Sequence, residues 1–210
     1  MHLNPDEPPT LIVLFTVCVY WTIVAAMVVR RRRRTRKLSG VVPEQRMEVW
    51  MGLLWIPLVA AWVALPALAV SRRSGAFALP AFATADAFTS LRWIAAAMAV
   101  VALHGSIRSW RQMGRHWTMA VTRDEAGTLF TGGMFARVRH PIYALSILLM
   151  LSTWVVVPNI PMLVVAAVHV ALMHAKARNE ERFLLDVHGD EYASYCERTG
   201  RFLPRLTAAQ

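Results

Sequence analysis

Hydrophobic and polar positions along this chain fall into long blocks rather than the three-to-four-residue rhythm of a surface helix. Apolar sequence runs from about Thr10 to Val29, from about Met47 to Val70 and from about Leu91 to Ile107. At about 1.5 Å per residue, the first run is long enough to cross a hydrocarbon core about 30 Å thick. Pro57 and Pro66 predict kinks in the second. Two shorter runs follow. The residues between Pro141 and Pro158 give roughly 24 Å of helix, short for a full crossing. Val157 to Pro161 (VPNIP) reads as a turn, and the next run continues to about Ala175. The pattern predicts a tight antiparallel hairpin over 142–175. No internal repeat or strand-period run competes with this helical reading.

The polar blocks orient the helices. Eight Lys and Arg fall in residues 30–46, six in 108–141 and six in 174–210, against two (Arg72 and Arg73) in the loop at 71–90. Basic residues accumulate on the cytoplasmic side of membrane proteins, so the three basic stretches are expected there, with the N-terminus outside. MHLNPDEPPT carries no basic residue, and RRRRRTRK follows the first apolar run, the reverse of a secretory leader. The expected fold is therefore an all-α polytopic membrane protein. It has about five transmembrane helices, the last two forming the C-terminal hairpin, and then a cytoplasmic helical segment. Residues 1–107 form a three-span scaffold and residues 108–210 the chemistry-bearing region.

Composition agrees with this fold. The chain is 56% hydrophobic and only 17% charged, with eight Trp, which exceeds the apolar share of an ordinary soluble domain. Its net charge of +10 lies between apolar runs, where membrane topology and anionic headgroups account for it. Nucleic acid is not an expected partner, since no basic, aromatic-interleaved soluble module is visible. Cys18 and Cys196 suggest neither a disulfide framework nor a thiolate metal site. His169 and His174 are five apart, off the spacing that would put two ligands on one helical face, so no metal is expected.

The hairpin base is chemically richer. RVRHPIYALSILLM (137–150) brings Arg137, Arg139 and His140 to the mouth of an apolar segment. Flanking charge explains the arginines. It does not explain His140, the Pro-x-Tyr that follows, or Glu180-Glu181 beyond the next apolar run. An antiparallel hairpin sets Arg139, His140 and Tyr143 opposite Lys176, Arg178, Glu180 and Glu181, a polar cluster facing both water and bilayer.

The ordered segments GTLFTGGMFARVRHPIY (127–143), the turn with Asn159, and KARNEERFLLDVHGDEYASYCERTGRFLP (176–204) resemble the isoprenylcysteine carboxyl methyltransferase family and its relatives among phospholipid methyltransferases. The resemblance covers about residues 105–205. It implies methyl transfer from S-adenosylmethionine to a lipophilic or prenylated small-molecule acceptor supplied by the membrane lipid phase. By the same resemblance, Gly127, Thr128, Leu129 and Phe130 offer backbone contacts to the cofactor. Phe135 stands where relatives carry a tyrosine, keeping the ring and losing the hydroxyl. His140, Pro141, Ile142 and Tyr143 also contact the cofactor, and Glu180 supplies its carboxylate partner. Arg139, Lys176 and Glu181 form the catalytic cluster, with Glu181 orienting Glu180 or capping the arginines. Lys176 occupies the place of an arginine that holds the acceptor carboxylate in eukaryotic members. It keeps the charge and loses the bidentate fork. Arg178 is the second acceptor-side candidate, two residues round the helix from Lys176. Tyr192, Tyr195, Arg201, Phe202 and Pro204 form a closing segment.

A carboxylate acceptor is already ionised at neutral pH and needs no base, whereas a phospholipid amine or small thiol must lose a proton. Two other readings stay open: a membrane reductase using a nicotinamide cofactor, and a non-catalytic membrane module.

Overall fold

The computed structural model describes residues 7–35, 46–72, 74–114 and 129–205, and the described residues are all-helical without strands. The helices are α1 (Glu7–Thr35), α2 (Arg46–Ser71), α3 (Asp86–Met113), α4 (Pro141–Val156), α5 (Ile160–His188) and α6 (Asp190–Arg198). Short 3₁₀ turns occupy Ala81–Thr84 and Gly133–Ala136. Helices α1, α2, α3 and α5 are long and apolar enough to cross a membrane, and α4 is a shorter apolar helix of 16 residues. The chain is a polytopic membrane protein by this architecture. Large apolar side chains such as Phe15, Ile56 and Ile160 stand exposed, as a lipid-facing surface requires.

Local chemistry sets the helix ends. Pro141 opens α4, where its missing N–H costs no intrahelical bond. Asn159 caps α5, its Oδ1 accepting from Met162 N at 2.9 Å, while its Nδ2 donates to Phe77 O at 3.2 Å and ties the hairpin turn to the 71–85 loop. Gly189, at φ +51°, ends α5, and Asp190 and Glu191 then start α6 at the favourable end of its dipole. Helix α2 runs continuously through Pro57 and Pro66. Helix α5 continues well past Ala175, so Lys176, Glu180 and Glu181 ride on the same rigid rod as the membrane segment.

The core is built where small residues let helices approach. Ala95, Ala96, Ala99, Ala102, Ser106 and Ser109 form the buried stripe of α3, and a Cβ placed on Gly105 would lie 3.0 Å from Leu145 Cδ2 of α4. Trp62 of α2 is fully buried and donates from Nε1 to Thr153 Oγ1 of α4 at 3.1 Å. Arg92, a cation inside the apolar run of α3, is also fully buried. It donates to Val156 O at 3.0 Å, Ala83 O at 3.3 Å and Thr10 Oγ1 at 2.9 Å, pinning α1, the 81–84 turn and the end of α4 together.

Candidate active site

The cluster forms where α4 begins and the polar extension of α5 passes it. Residues 199–203 lie as a strap beside 137–140: Arg139 N donates to Gly200 O at 2.8 Å, His140 N to Arg201 O at 3.0 Å, and Gly200 N to Arg137 O at 3.2 Å. Glycine is required at the strap's turn, since a Cβ at Gly200 would collide with the backbone carbonyl of Leu203.

The two adjacent glutamates have different surroundings. Glu181 faces the strap: it accepts from Arg139 Nε at 2.9 Å and from Arg201 Nε at 3.0 Å on each carboxylate oxygen, and it also pairs with Arg201 Nη2. Arg139 reaches further, donating from Nη1 to the carbonyls of Cys196 (3.1 Å) and Thr199. Glu181 also keeps the Arg201 guanidinium raised in pKa, fixing its charge.

Glu180 faces α4 instead. It accepts from the Tyr143 hydroxyl, lies 3.6 Å from His140 Nδ1 and has Lys176 Nζ at 3.9 Å one turn back on the same helix. His140 is buried and stacks on Tyr143, with ring centroids 5.3 Å apart and planes 5° apart. Its Nε2 stands 3.4 Å from Glu181 Oε1 but makes no hydrogen bond. Phe202 of the strap covers the ring from the other side at 6.2 Å and meets His174 edge-on at 4.7 Å.

The structure thus brings Arg139, His140, Tyr143, Lys176, Glu180 and Glu181 together, with Arg201 and Phe202 closing over them. Pro141 is buried at the helix start, and Ile142 packs against the main core. Arg178 is exposed on α5 and is not brought into the cluster. Phe135 is buried and meets Phe130 edge-on at 5.2 Å, with Leu129 half-buried beside them in sequence. Gly127 and Thr128 lie outside the described residues.

The neighbourhood of Phe135 includes Ser109 and Gln112, which sequence patterns did not single out, and Tyr195 of the expected closing segment. Ser109 Oγ lies 3.2 Å from Met134 Sδ, and Gln112 Oε1 accepts from Met134 N at 3.4 Å, so the end of α3 supports the 133–136 turn. Tyr195 of α6 donates its hydroxyl to Phe135 O at 2.6 Å. Burial pushes the Tyr195 phenol up to about 12, which keeps it a proton donor at neutral pH. The one sequence cue for the α3 contribution is that polar positions recur on its small-residue face at Ser106, Ser109 and, three further on, Gln112.

The donor set suits a zwitterionic, partly aromatic cofactor such as S-adenosylmethionine. A buried carboxylate with a tyrosine and a lysine beside it can meet hydroxyls or an ammonium. The buried His140 Nε2 has a hydrogen bond to give or accept, and flat rings at 130, 135, 140 and 143 can pack a base.

The cobalt-zinc-cadmium resistance protein CzcN of Cupriavidus metallidurans is 34% identical over 97 residues, covering 45% of this chain and 44% of that protein. The nickel-cobalt-cadmium resistance protein NccN of Alcaligenes xylosoxydans xylosoxydans is 28% identical over 116 residues, covering 55% and 54% respectively. The chain therefore spans about half the length of these curated relatives. Residues 91–191 match the model of the phospholipid methyltransferase family, a stretch that runs from the small-residue face of α3 through the hairpin and its glutamate pair into α6. That stretch, just under half of the chain, is thereby similar to the phospholipid methyltransferases, within the isoprenylcysteine and phospholipid methyltransferase group.

Proposed function

We propose that this protein is a membrane-embedded methyltransferase that uses S-adenosylmethionine and takes a lipophilic acceptor from the bilayer. The observation that carries this reading is Glu180, held between Tyr143, His140 and Lys176 at the base of a membrane hairpin. A site there is open in principle to a polar cofactor from the water side and an apolar acceptor from the lipid side. In this reading Glu180, Tyr143 and His140 hold the cofactor, Phe130 and Phe135 form its apolar wall, and Lys176 offers charge to the acceptor. Arg139, Glu181 and Arg201 act at one remove by fixing the strap and the His140 ring.

S-adenosylmethionine held by Glu180, Tyr143 and His140 would supply an electrophilic methyl group, with its sulfur as the leaving atom that keeps the bonding electron pair. The protein's share is alignment and exclusion of water, and Phe202 and the strap cover the cluster as that demands. Lys176, whose ammonium stands beside Glu180, favours an acceptor that ends in a carboxylate, as an isoprenylcysteine does. A phospholipid amine is the second reading, favoured by the family whose model the chain matches. The Lys and Arg asymmetry supports a cytoplasmic site and an outside N-terminus. Sided labelling of Pro5→Cys and Arg205→Cys tests that topology, and both on one side would sink it.

Calorimetry of the detergent-solubilised protein with S-adenosylhomocysteine and, separately, with NADPH tests the cofactor. Binding of the first and not the second is expected; the opposite result would make the protein a reductase. Labelled methyl transfer to prenylcysteine, phosphatidylethanolamine and a small thiol then ranks the acceptors, with prenylcysteine expected first.

A further inference from the structure

We infer that Gln112 of α3 and Tyr195 of α6 are positioning residues that set the aromatic wall of the cofactor site by holding the Gly133–Ala136 turn from two sides. The inference rests on the cofactor reading above and assigns work to two side chains outside the hairpin cluster.

The turn has little regular structure of its own. Its 3₁₀ bonds run from Phe135 N to Gly132 O at 3.1 Å and from Arg137 N to Met134 O at 3.2 Å. What places it are groups from other elements. From α3, Gln112 Oε1 takes the Met134 N–H, and Ser109 Oγ lies against Met134 Sδ. From α6, the Tyr195 hydroxyl takes the Phe135 carbonyl at 2.6 Å, and Tyr195 is itself buried. The two bonds act on neighbouring residues and approach from helices that do not touch the hairpin cluster through these groups. Phe135, with Phe130 edge-on against it, is the side chain whose place they determine.

Gly133 shows how closely the α3 support is fitted. It sits at φ +61°, a conformation that side chains resist, and a Cβ there would stand 2.5 Å from Gln112 Oε1 and 2.7 Å from Gln112 Cδ. The missing side chain at 133 is the space that Gln112 uses to reach the turn. The geometry also bears on Phe135 itself. Its ring carries no hydroxyl, and a phenolic hydroxyl reaches the residue from α6 instead, on its carbonyl.

A positioning role separates from mere stability in a two-by-two experiment on the full-length protein in detergent. Tyr195→Phe deletes one hydroxyl, and Gln112→Leu deletes the acceptor for Met134 N. Calorimetric affinity for S-adenosylhomocysteine is expected to fall about fivefold in each, the effect of one lost hydrogen bond. Gln112→Glu keeps an oxygen for Met134 N and is expected to bind nearly as the wild type. Because both residues act on one turn, the double variant should lose less than the product of the single losses. Melting temperature, followed in parallel, reports the structural contribution, and Gln112→Leu and Gln112→Glu should separate in affinity more than in melting. If the wild-type protein fails to bind S-adenosylhomocysteine, the cofactor reading falls. If it binds and Tyr195→Phe and Gln112→Leu bind equally well, or lose affinity only in step with melting, the positioning role is overturned.

Discussion

Glu181→Gln is the most informative single change at the strap, because it keeps the shape of the side chain and removes only its charge. The carboxylate is 13% exposed and meets two guanidiniums of unequal burial, Arg139 at 11% and Arg201 at 33%. Removing one partner of a buried ion pair costs about 3–5 kcal/mol because the other charge is left uncompensated, whereas a pair open to water is worth about 1 kcal/mol or less. Glu181→Gln strands the better-buried Arg139, so a loss of about 3 kcal/mol is expected, the low end because Arg139 keeps the carbonyls of Cys196 and Thr199. For a chain of this size that is a fall of roughly 6–12 °C in melting temperature. Arg201→Met removes only the outer, more exposed partner and should lower melting by roughly 2–4 °C. Arg139→Met should exceed both, since it leaves Glu181 only its more exposed partner Arg201 and takes the Arg139 donor from the carbonyls of Cys196 and Thr199 as well. Thermal unfolding in one detergent, at one protein concentration and with ligand absent, gives the ranking. Wild-type melting of Glu181→Gln, or equal losses for Arg201→Met and Arg139→Met, would refute the argument that burial grades this clamp.

Three further changes probe the cluster and its frame. Glu180→Gln should leave melting within about 2 °C of wild type while weakening S-adenosylhomocysteine binding roughly tenfold, the reverse of the Glu181 pattern; matched losses in both variants would erase the distinction. Lys176→Met should spare cofactor affinity and raise the Michaelis constant of a carboxylate acceptor, with Lys176→Arg retaining activity; steady-state kinetics with equal rates for all three forms would remove Lys176 from the site. Gly200→Ala should destabilise the strap by more than about 2 kcal/mol because the clash is with backbone, read as a melting loss larger than that of Arg201→Met; an alanine variant as stable as wild type would show that the turn can relax.

Much of the fold could be read from block hydrophobicity because membrane helices announce themselves by length, and α1, α2 and α3 fall where the apolar runs do. The hairpin turn was equally legible, since Pro158, Asn159 and Pro161 have single mechanical uses there. Arg92 was not. It hides in the run from Leu91 to Ile107, and one cation at a helix end looks like flanking charge; only the tertiary fold shows three acceptors from three elements converging on it. Gln112 was nearly as silent: beyond its place three residues after Ser109 on the small-residue face of α3, nothing marks it, and its role depends on a turn some twenty residues away. The meeting of Arg139, His140, Tyr143 and Glu180 could be expected from antiparallel neighbours. The strap that completes it, paired along 137–140, had no periodic signal, because a five-residue segment with a turn in it is too short to carry one.

The glutamate pair shows why motif and mechanism part company at this resolution of reading. Two consecutive helical residues point about 100° apart, so Glu180 and Glu181 turn to different surroundings however alike they look in sequence. The rotation sends Glu181 to the two arginines that close the strap and Glu180 to the tyrosine, histidine and lysine of the hairpin. One carboxylate is then saturated by fixed cations. The other has a lysine and a tyrosine hydroxyl beside it. His140 lies between them, its Nδ1 toward one and its Nε2 toward the other. The ring thus stands between the carboxylate that holds the strap and the carboxylate that faces the hairpin, so the same histidine borders both the closing segment and the site it covers.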